Sequence, residues 1–238
     1  MAQPFLFDEV FAINRDLQID PAGIDEIPAV VVNDYLADPE KARDIVGESP
    51  ATNWKTTPDG FNFKDYYDCR LRFPVVFPNS LVDAARQIVH EVYAIETRPQ
   101  NPCVDVNWFK QVNPRRCDYA VPHHDVVGET ARTFTCLIYL NRASECSGGT
   151  RFFRFRESGS LVLDRAFHET TIRDPRIVET GRDYWPVEPD LFWEPAGDVE
   201  MAPGRLIIFP SEFFHAAWHP EDSFEAFPRL TLAFWLIQ

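Results

Sequence analysis

The chain has no Cys-x-x-Cys pair, no excess of positive charge, no long apolar run and no internal repeat. Each lack removes a class of function. The five cysteines, Cys69, Cys103, Cys117, Cys136 and Cys146, are odd in number and too scattered for a zinc ribbon or a disulfide framework. Reduced thiols in a cytoplasmic protein are the expectation. A net charge of −14 leaves no basic face for tracking phosphates, so a nucleic-acid partner is not expected. The stretch Met1-Ala-Gln-Pro-Phe-Leu-Phe-Asp8 lacks a basic lead and an adequate apolar run, and nothing later is long enough to span a bilayer. Neither a leader nor a membrane partner is expected.

What the chain does have is aromatic bulk: 20 of its 238 residues are phenylalanine, enough to fill the core of one large globular domain. Pro28 to Asn33 reads as a strand, and Asp38-Pro39 as the opening of a helix running towards Val46. The strongest helix lies between Asn79 and Ile95, where Leu81, Ala84, Ala85, Ile88, Val89 and Val92 fall at helical spacing. Beyond residue 100 the character changes to strands: Val104 to Val112, Thr133 to Leu140, Thr150 to Arg156, Leu206 to Pro210 and Arg229 to Ile237. The fold class expected is mainly β with supporting helices (α+β), built on a sandwich or jelly roll. Residues 1–100 would be an N-terminal support and residues 101–238 the core, interrupted by a proline-rich insertion at about 161–199.

The motif that carries chemistry is Pro122-His123-His124-Asp125, taken with the distant Phe209-Pro-Ser-Glu-Phe-Phe-His215. On a strand, residues i and i+2 point the same way, so His123 and Asp125 can reach one metal while His124 points away. Two imidazoles and one carboxylate occupy one face of an octahedral ferrous ion and leave the other face open. By itself a His-x-Asp pair means little. Here it is followed by Arg132 to Asn141 with Tyr139 near its end, by Gly148-Gly149-Thr150, by Pro203-Gly204 and an apolar strand, then by His215 and by Arg229-Leu230-Thr231.

That order resembles the iron(II)- and 2-oxoglutarate-dependent oxygenases, in the branch like the prolyl 4-hydroxylases, over roughly residues 104 to 237. Gly148 to Gly159 and Val31 to Pro39 are similar to a bacterial subgroup of that branch with no known substrate. The resemblance implies a double-stranded β-helix core of cupin-like, jelly-roll form, and Fe(II) held by His123, Asp125 and His215. It also implies that Arg229 pairs with the distal carboxylate of 2-oxoglutarate, helped by Tyr139 and by Thr231 two residues along the same strand face. Dioxygen would be the oxidant, and succinate and carbon dioxide the by-products. Relatives that halogenate resemble hydroxylases with a small residue in place of the carboxylate, so Asp125 implies hydroxylation.

Several alternatives stay open. His219 rivals His215: it stands ten residues before Arg229, a separation common in the family, whereas His215 stands fourteen before it. His215 is preferred because it directly follows the apolar strand. The stretch from Arg173 to Pro195, with Tyr184, Trp185, Phe192 and Trp193, can close over a substrate as an aromatic lid, pack onto the sheet or make a homodimer contact. Arg151, Arg154 and Arg156 are expected on one strand face, there to meet an anionic substrate group or to balance nearby acids. The substrate would be an amino acid, a small metabolite or a peptidyl residue. A cupin-like metal-binding module without 2-oxoglutarate turnover is the reading from another class.

Overall fold

Alternation along the β-rich segments resolves into two antiparallel sheets that face one another. The computed structural model describes residues 10–20, 26–47, 69–74, 79–100, 103–109, 122–125, 131–164, 166–167, 169, 177–180, 183–186, 192–218, 220 and 229–238. The larger sheet runs in the order β1 (Gln18–Asp20), β2 (Val30–Asn33), β11 (Leu206–Pro210), β6 (Thr133–Tyr139), β13 (Arg229–Ile237), β5 (Cys103–Phe109) and β3 (Cys69–Pro74). The short β4 (Arg98–Pro99) pairs with the end of β13. The smaller sheet is β10 (Trp193–Glu200), β7 (Gly149–Phe155) and β12 (His215–Trp218), and a bridge between His123 and His215 adds a further rung beside β12. A separate hairpin joins β8 (Ile177–Thr180) to β9 (Asp183–Pro186).

The pairings are nested. β5 pairs with β13, His123 with β12, β6 with β11 and β7 with β10. As the chain runs it passes between the sheets, so that each outer pair encloses the next. This is the winding of a jelly roll, and the core is a double-stranded β-helix. Residues 193–199, part of the segment expected as an insertion, belong to this core as β10. Their sequence hid it: Pro195 and Gly197 interrupt the alternation, and the register against β7 shifts between them.

Period-two alternation decides what each face does. On β13, Leu230, Leu232, Phe234 and Leu236 pack outward into the cluster that also holds the helical side chains. Arg229, Thr231, Ala233 and Trp235 therefore face the smaller sheet. On β6, Phe134, Cys136 and Ile138 join the same outer cluster, which leaves Thr135, Leu137 and Tyr139 on the inner side.

Two helices brace the outer face, α1 (Pro39–Gly47) and α2 (Ser80–Tyr93). Asn79 caps α2, its side chain accepting from the Val82 N–H at 3.2 Å while the Asn79 N–H donates to Asp83 at 3.1 Å. Leu81, Val82, Ala85, Ile88 and Val89 are the buried stripe, whereas Val92 is exposed. Ile88→Ala is expected to lower the unfolding free energy by about 2–5 kcal/mol. A fall in the urea midpoint at unchanged slope checks this. Among the described residues no helix is long and apolar enough to cross a membrane.

Candidate functional site

The jelly roll brings His123, Asp125 and His215 together, with one ligand atom from each lying within 4.8 Å of the others. His215 opens β12, and the bridge to His123 fixes the two histidines side by side through a pair of main-chain bonds of 2.8 and 3.0 Å. Their rings sit 4.5 Å apart. His215 Nε2 lies 3.5 Å from Asp125 Oδ2, and His123 Nε2 lies 3.8 Å from Asp125 Oδ1. His124 turns to the other side, its ring 6.2 Å from that of Phe214 on the outer face of the smaller sheet. His219 and most of the turn after it lie outside the described residues, so the geometry here concerns His215.

The ligand orientations are prepared by groups further out. His215 Nδ1 lies 2.9 Å from the Phe213 carbonyl, which calls for a proton on Nδ1 and directs Nε2 at Asp125 and His123. Phe209 and Phe152 wall the His215 ring, with centroids 4.7 and 6.5 Å away. Asp125 is held more firmly still. Its N–H donates to the Ser211 carbonyl at 2.9 Å. Its Oδ2 accepts from Thr135 Oγ1 at 3.0 Å and from the Trp235 indole N–H at 3.1 Å, and Thr135 in turn exchanges a 2.8 Å bond with Ser211 Oγ. Both donors land on the same oxygen, so Oδ1 keeps its lone pairs for another partner.

Burial opposes ionisation of Asp125, but His215, His123 and Trp235 together outweigh it and hold the carboxyl well below the usual carboxylate range. A depressed carboxyl adds stability that is complete above the ordinary carboxylate pKa and fades only as pH falls through the folded value. Asp125 is therefore a carboxylate throughout the neutral range. His215 is buried, whereas the His123 side chain is 39% exposed and marks the side from which the cluster is reached.

The second group of expected residues occupies the same interior, further along the strands. Tyr139 and Thr231 are directly paired across β6 and β13, and Arg229 is two residues along the same face. All three are buried. The Arg229 guanidinium carbon lies 5.5 Å from the centre of the Tyr139 ring, and Nη2 donates to the Gly149 carbonyl at 3.1 Å. The Tyr139 hydroxyl shares a 2.8 Å bond with Thr150 and approaches the Val199 carbonyl at 3.3 Å. Burial raises its pKa against the opposing pull of Arg229, which keeps it a neutral phenol able to donate.

Other expectations fare differently. Arg151, Arg154 and Arg156 do not share one strand face. Arg151 and Arg154 are an odd number of residues apart and so point to opposite sides. Arg151 makes a two-pronged pair with Asp198 at 2.7 and 2.8 Å and lies over the Trp218 ring. Arg154 reaches Glu26 and Arg156 approaches Glu194. These arginines balance nearby acids. Of the four aromatics for which a lid, packing onto the sheet and a dimer contact were all open, Phe192 and Trp193 are buried against Phe153, Phe155, Phe167 and Phe214, on the face of the smaller sheet that points away from the cluster. They hold chain to sheet and do not cover the histidines. The side chains of Tyr184 and Trp185 lie outside the described residues. Sequence reading missed Trp235, Thr135 and Ser211. The signal for Trp235 was present, since it shares strand parity with Arg229 and Thr231.

Residues 14–233 match the model of the DUF6445 family, a family of unknown function. The chain belongs to that family. No curated protein matches the DUF6445 chain. Among solved structures it is similar to AviO1 from Streptomyces viridochromogenes Tue57, at 13% identity over 85% of this chain and 80% of that one, with a TM-score of 0.46. A prolyl-4-hydroxylase from Pseudomonas putida is similar at 11% identity, over 82% of this chain and 84% of that one, with a TM-score of 0.40. EctD from S. alaskensis, solved with bound Fe, is similar at 12% identity over 93% and 84% of the two chains, with a TM-score of 0.44.

Proposed function

We propose that this DUF6445 protein is an Fe(II)- and 2-oxoglutarate-dependent dioxygenase that hydroxylates an unactivated C–H bond of an amino acid, a small metabolite or a peptidyl residue. One juxtaposition carries the reading: two histidines and a carboxylate converge at one end of the intersheet space, and a buried arginine with a tyrosine and a threonine stands at the other. The row of Thr135 and Trp235 and the row of Tyr139 and Thr231 are four residues apart on β6. At about 3.3 Å per residue that is about 13 Å along the strand. Such a gap suits a short dicarboxylate bonded at both ends.

The residues present fit a ferrous ion. Two neutral imidazoles and one carboxylate are the donors that a facial site with open positions uses. The proton on His215 Nδ1 and the two donors on Asp125 Oδ2 leave Nε2 of the one and Oδ1 of the other to face a metal. Bound there, Fe(II) with 2-oxoglutarate would supply the oxidising power drawn from dioxygen, with succinate and carbon dioxide as products. The rest falls to the chain. Arg229 offers a planar fork to the distal carboxylate and fixes the direction from which the co-substrate enters. Tyr139, kept neutral by burial, and Thr231 offer hydroxyls beside it. Phe152, Phe209 and Trp235 exclude water from the space between.

Anaerobic addition of Fe(II) and then 2-oxoglutarate to the apo-protein is expected to give a weak visible charge-transfer band. Arg229→Ala should weaken co-substrate binding by about 100-fold or more, the cost of removing one partner of a buried ion pair. Succinate should form on addition of dioxygen. A folded, metal-loaded protein with neither band nor succinate would point instead to a cupin-like metal-binding module.

A further inference from the structure

Arg229 is tied at two points to one short connection, residues 140–149, which leaves β6 and ends on the first residue of β7. We propose that this connection, locked onto helix α1, is a positioning device for Arg229 that sets affinity for the co-substrate without touching it. The proposal rests on the reading of Arg229 as the anchor of a dicarboxylate.

The first point is on the main chain. The ladder between β6 and β13 ends where the Leu140 N–H donates to the Leu230 carbonyl at 3.0 Å. The chain then turns away, and the Leu230 N–H would lose its acceptor. The side chain of Asn141 supplies one: its Oδ1 accepts from Leu230 N at 2.7 Å. A side-chain amide thus completes a rung for the residue next to Arg229. Asn141 is fully buried, so water cannot replace it, and a buried N–H left unpaired is costly.

The orientation of Asn141 is itself set. Its Nδ2 points to Glu145 Oε2 at 3.4 Å, and the same oxygen accepts from the Arg142 N–H at 3.2 Å. Glu145 then receives a two-pronged pair from Arg43 of α1, with Nε at 2.8 Å and Nη2 at 3.1 Å. Arg142 pairs with Asp44 of the same helix. Glu145 is buried, the setting in which a forked pair fixes geometry as well as charge.

The second point is on the guanidinium, which donates to the Gly149 carbonyl. That carbonyl has little freedom. A Cβ on Gly149 would meet the Val199 carbonyl oxygen at 1.9 Å, so the strand lies against β10 more closely than any other residue allows. The histidine–aspartate cluster is held at the other end of these strands: Asp125 by Ser211, Thr135 and Trp235, the last two four residues along β6 and β13 from the Tyr139 and Thr231 row, and His215 by Phe213. Loosening residues 140–149 therefore disperses the guanidinium over its rotamers and leaves the metal ligands in place. A pre-set fork loses little entropy on binding, and a dispersed one loses more.

The test uses Asn141→Ala and Glu145→Gln; the second keeps the shape of the side chain and decides the matter if the first fails to fold. Co(II) is titrated into the apo-protein, and 2-oxoglutarate into the Co(II)-loaded protein under argon. The expected result is a 2-oxoglutarate Kd raised about tenfold, with Co(II) affinity within about twofold of wild type. Parallel loss of both affinities, or unchanged 2-oxoglutarate affinity in the folded variants, overturns the positioning role. Wild-type protein that takes Co(II) but not 2-oxoglutarate removes the dioxygenase reading, and the proposal with it.

Discussion

Asp125→Asn should keep the fold and lose the metal. The asparagine carboxamide still presents an oxygen to Thr135 Oγ1 and to the Trp235 indole N–H, the two donors that Asp125 Oδ2 now accepts from. No buried donor is orphaned, so the apo-protein should stay folded and lose only the stability that the depressed carboxyl contributes at neutral pH. The charge is gone, however, and an amide is a poor ligand for a ferrous ion beside two imidazoles. Loss of an outer partner of a metal ligand typically costs about 10- to 100-fold in affinity. Removal of the ligand's charge should therefore cost more than about 100-fold. Asp125→Ala should lose the metal equally, and in addition leave two donors unpaired at about 1–3 kcal/mol each. Calorimetric titration with Fe(II) under argon, paired with thermal melts of the apo-proteins, separates these terms. Full metal affinity in Asp125→Asn would remove Asp125 from the ligand set.

The second large effect is expected at a residue that bears no side chain. Gly149→Ala places a methyl carbon 1.9 Å from the Val199 carbonyl oxygen and 3.0 Å from the Glu200 Cα. Both are backbone atoms of the neighbouring strand, so no rotamer change relieves the contact. β7 and β10 must part at the rung where Glu200 pairs with Gly149. Overpacking a core costs about 1–3 kcal/mol when side chains can move, and a rigid backbone contact should reach or exceed the top of that range. The same displacement moves the acceptor of Arg229 and the Thr150 hydroxyl that bonds Tyr139. Gly149→Ala is thus expected to lower the denaturation midpoint and to weaken 2-oxoglutarate binding together. An unshifted midpoint would mean that β7 and β10 separate freely at this rung.

Much of this was legible in the sequence, for reasons that differ by element. Leu206 to Pro210 and Arg229 to Ile237 declared themselves because both faces of the larger sheet are covered, one by helices and one by the smaller sheet. A strand buried on both sides reads as a continuous apolar run. That His123 and Asp125 lie together was legible because strand geometry puts residues two apart on one side. β10 was not legible, since Pro195, Gly197 and exposed acids break the alternation at the edge of its sheet. Arg151, Arg154 and Arg156 left two readings open, an anion site or a balance of nearby acids, because pairing with Asp198, Glu26 and Glu194 depends on strands and loops distant in sequence. Asn141 lay in plain view beside Tyr139, yet its function as a surrogate rung depends on where β13 returns. Local pattern carries no information about that.

The nested winding bears on how the protein reaches its native state. Each rung that builds the site joins segments far apart in sequence: β5 to β13, β6 to β13, His123 to His215. Chains dominated by such distant pairings fold slowly, because the entropy of closing long loops is spent before contacts repay it. β13 supplies Arg229, Thr231 and Trp235 and also lies between β5 and β6 in the sheet. Until it inserts, β5 and β6 have no common neighbour, and the Asp125 carboxylate lacks its indole donor. A nascent chain that has not yet delivered β13 therefore presents an open sheet rather than a loose form of the site: His123, Asp125 and His215 are already made, but Arg229, Thr231 and the indole that steadies the carboxylate are still to come.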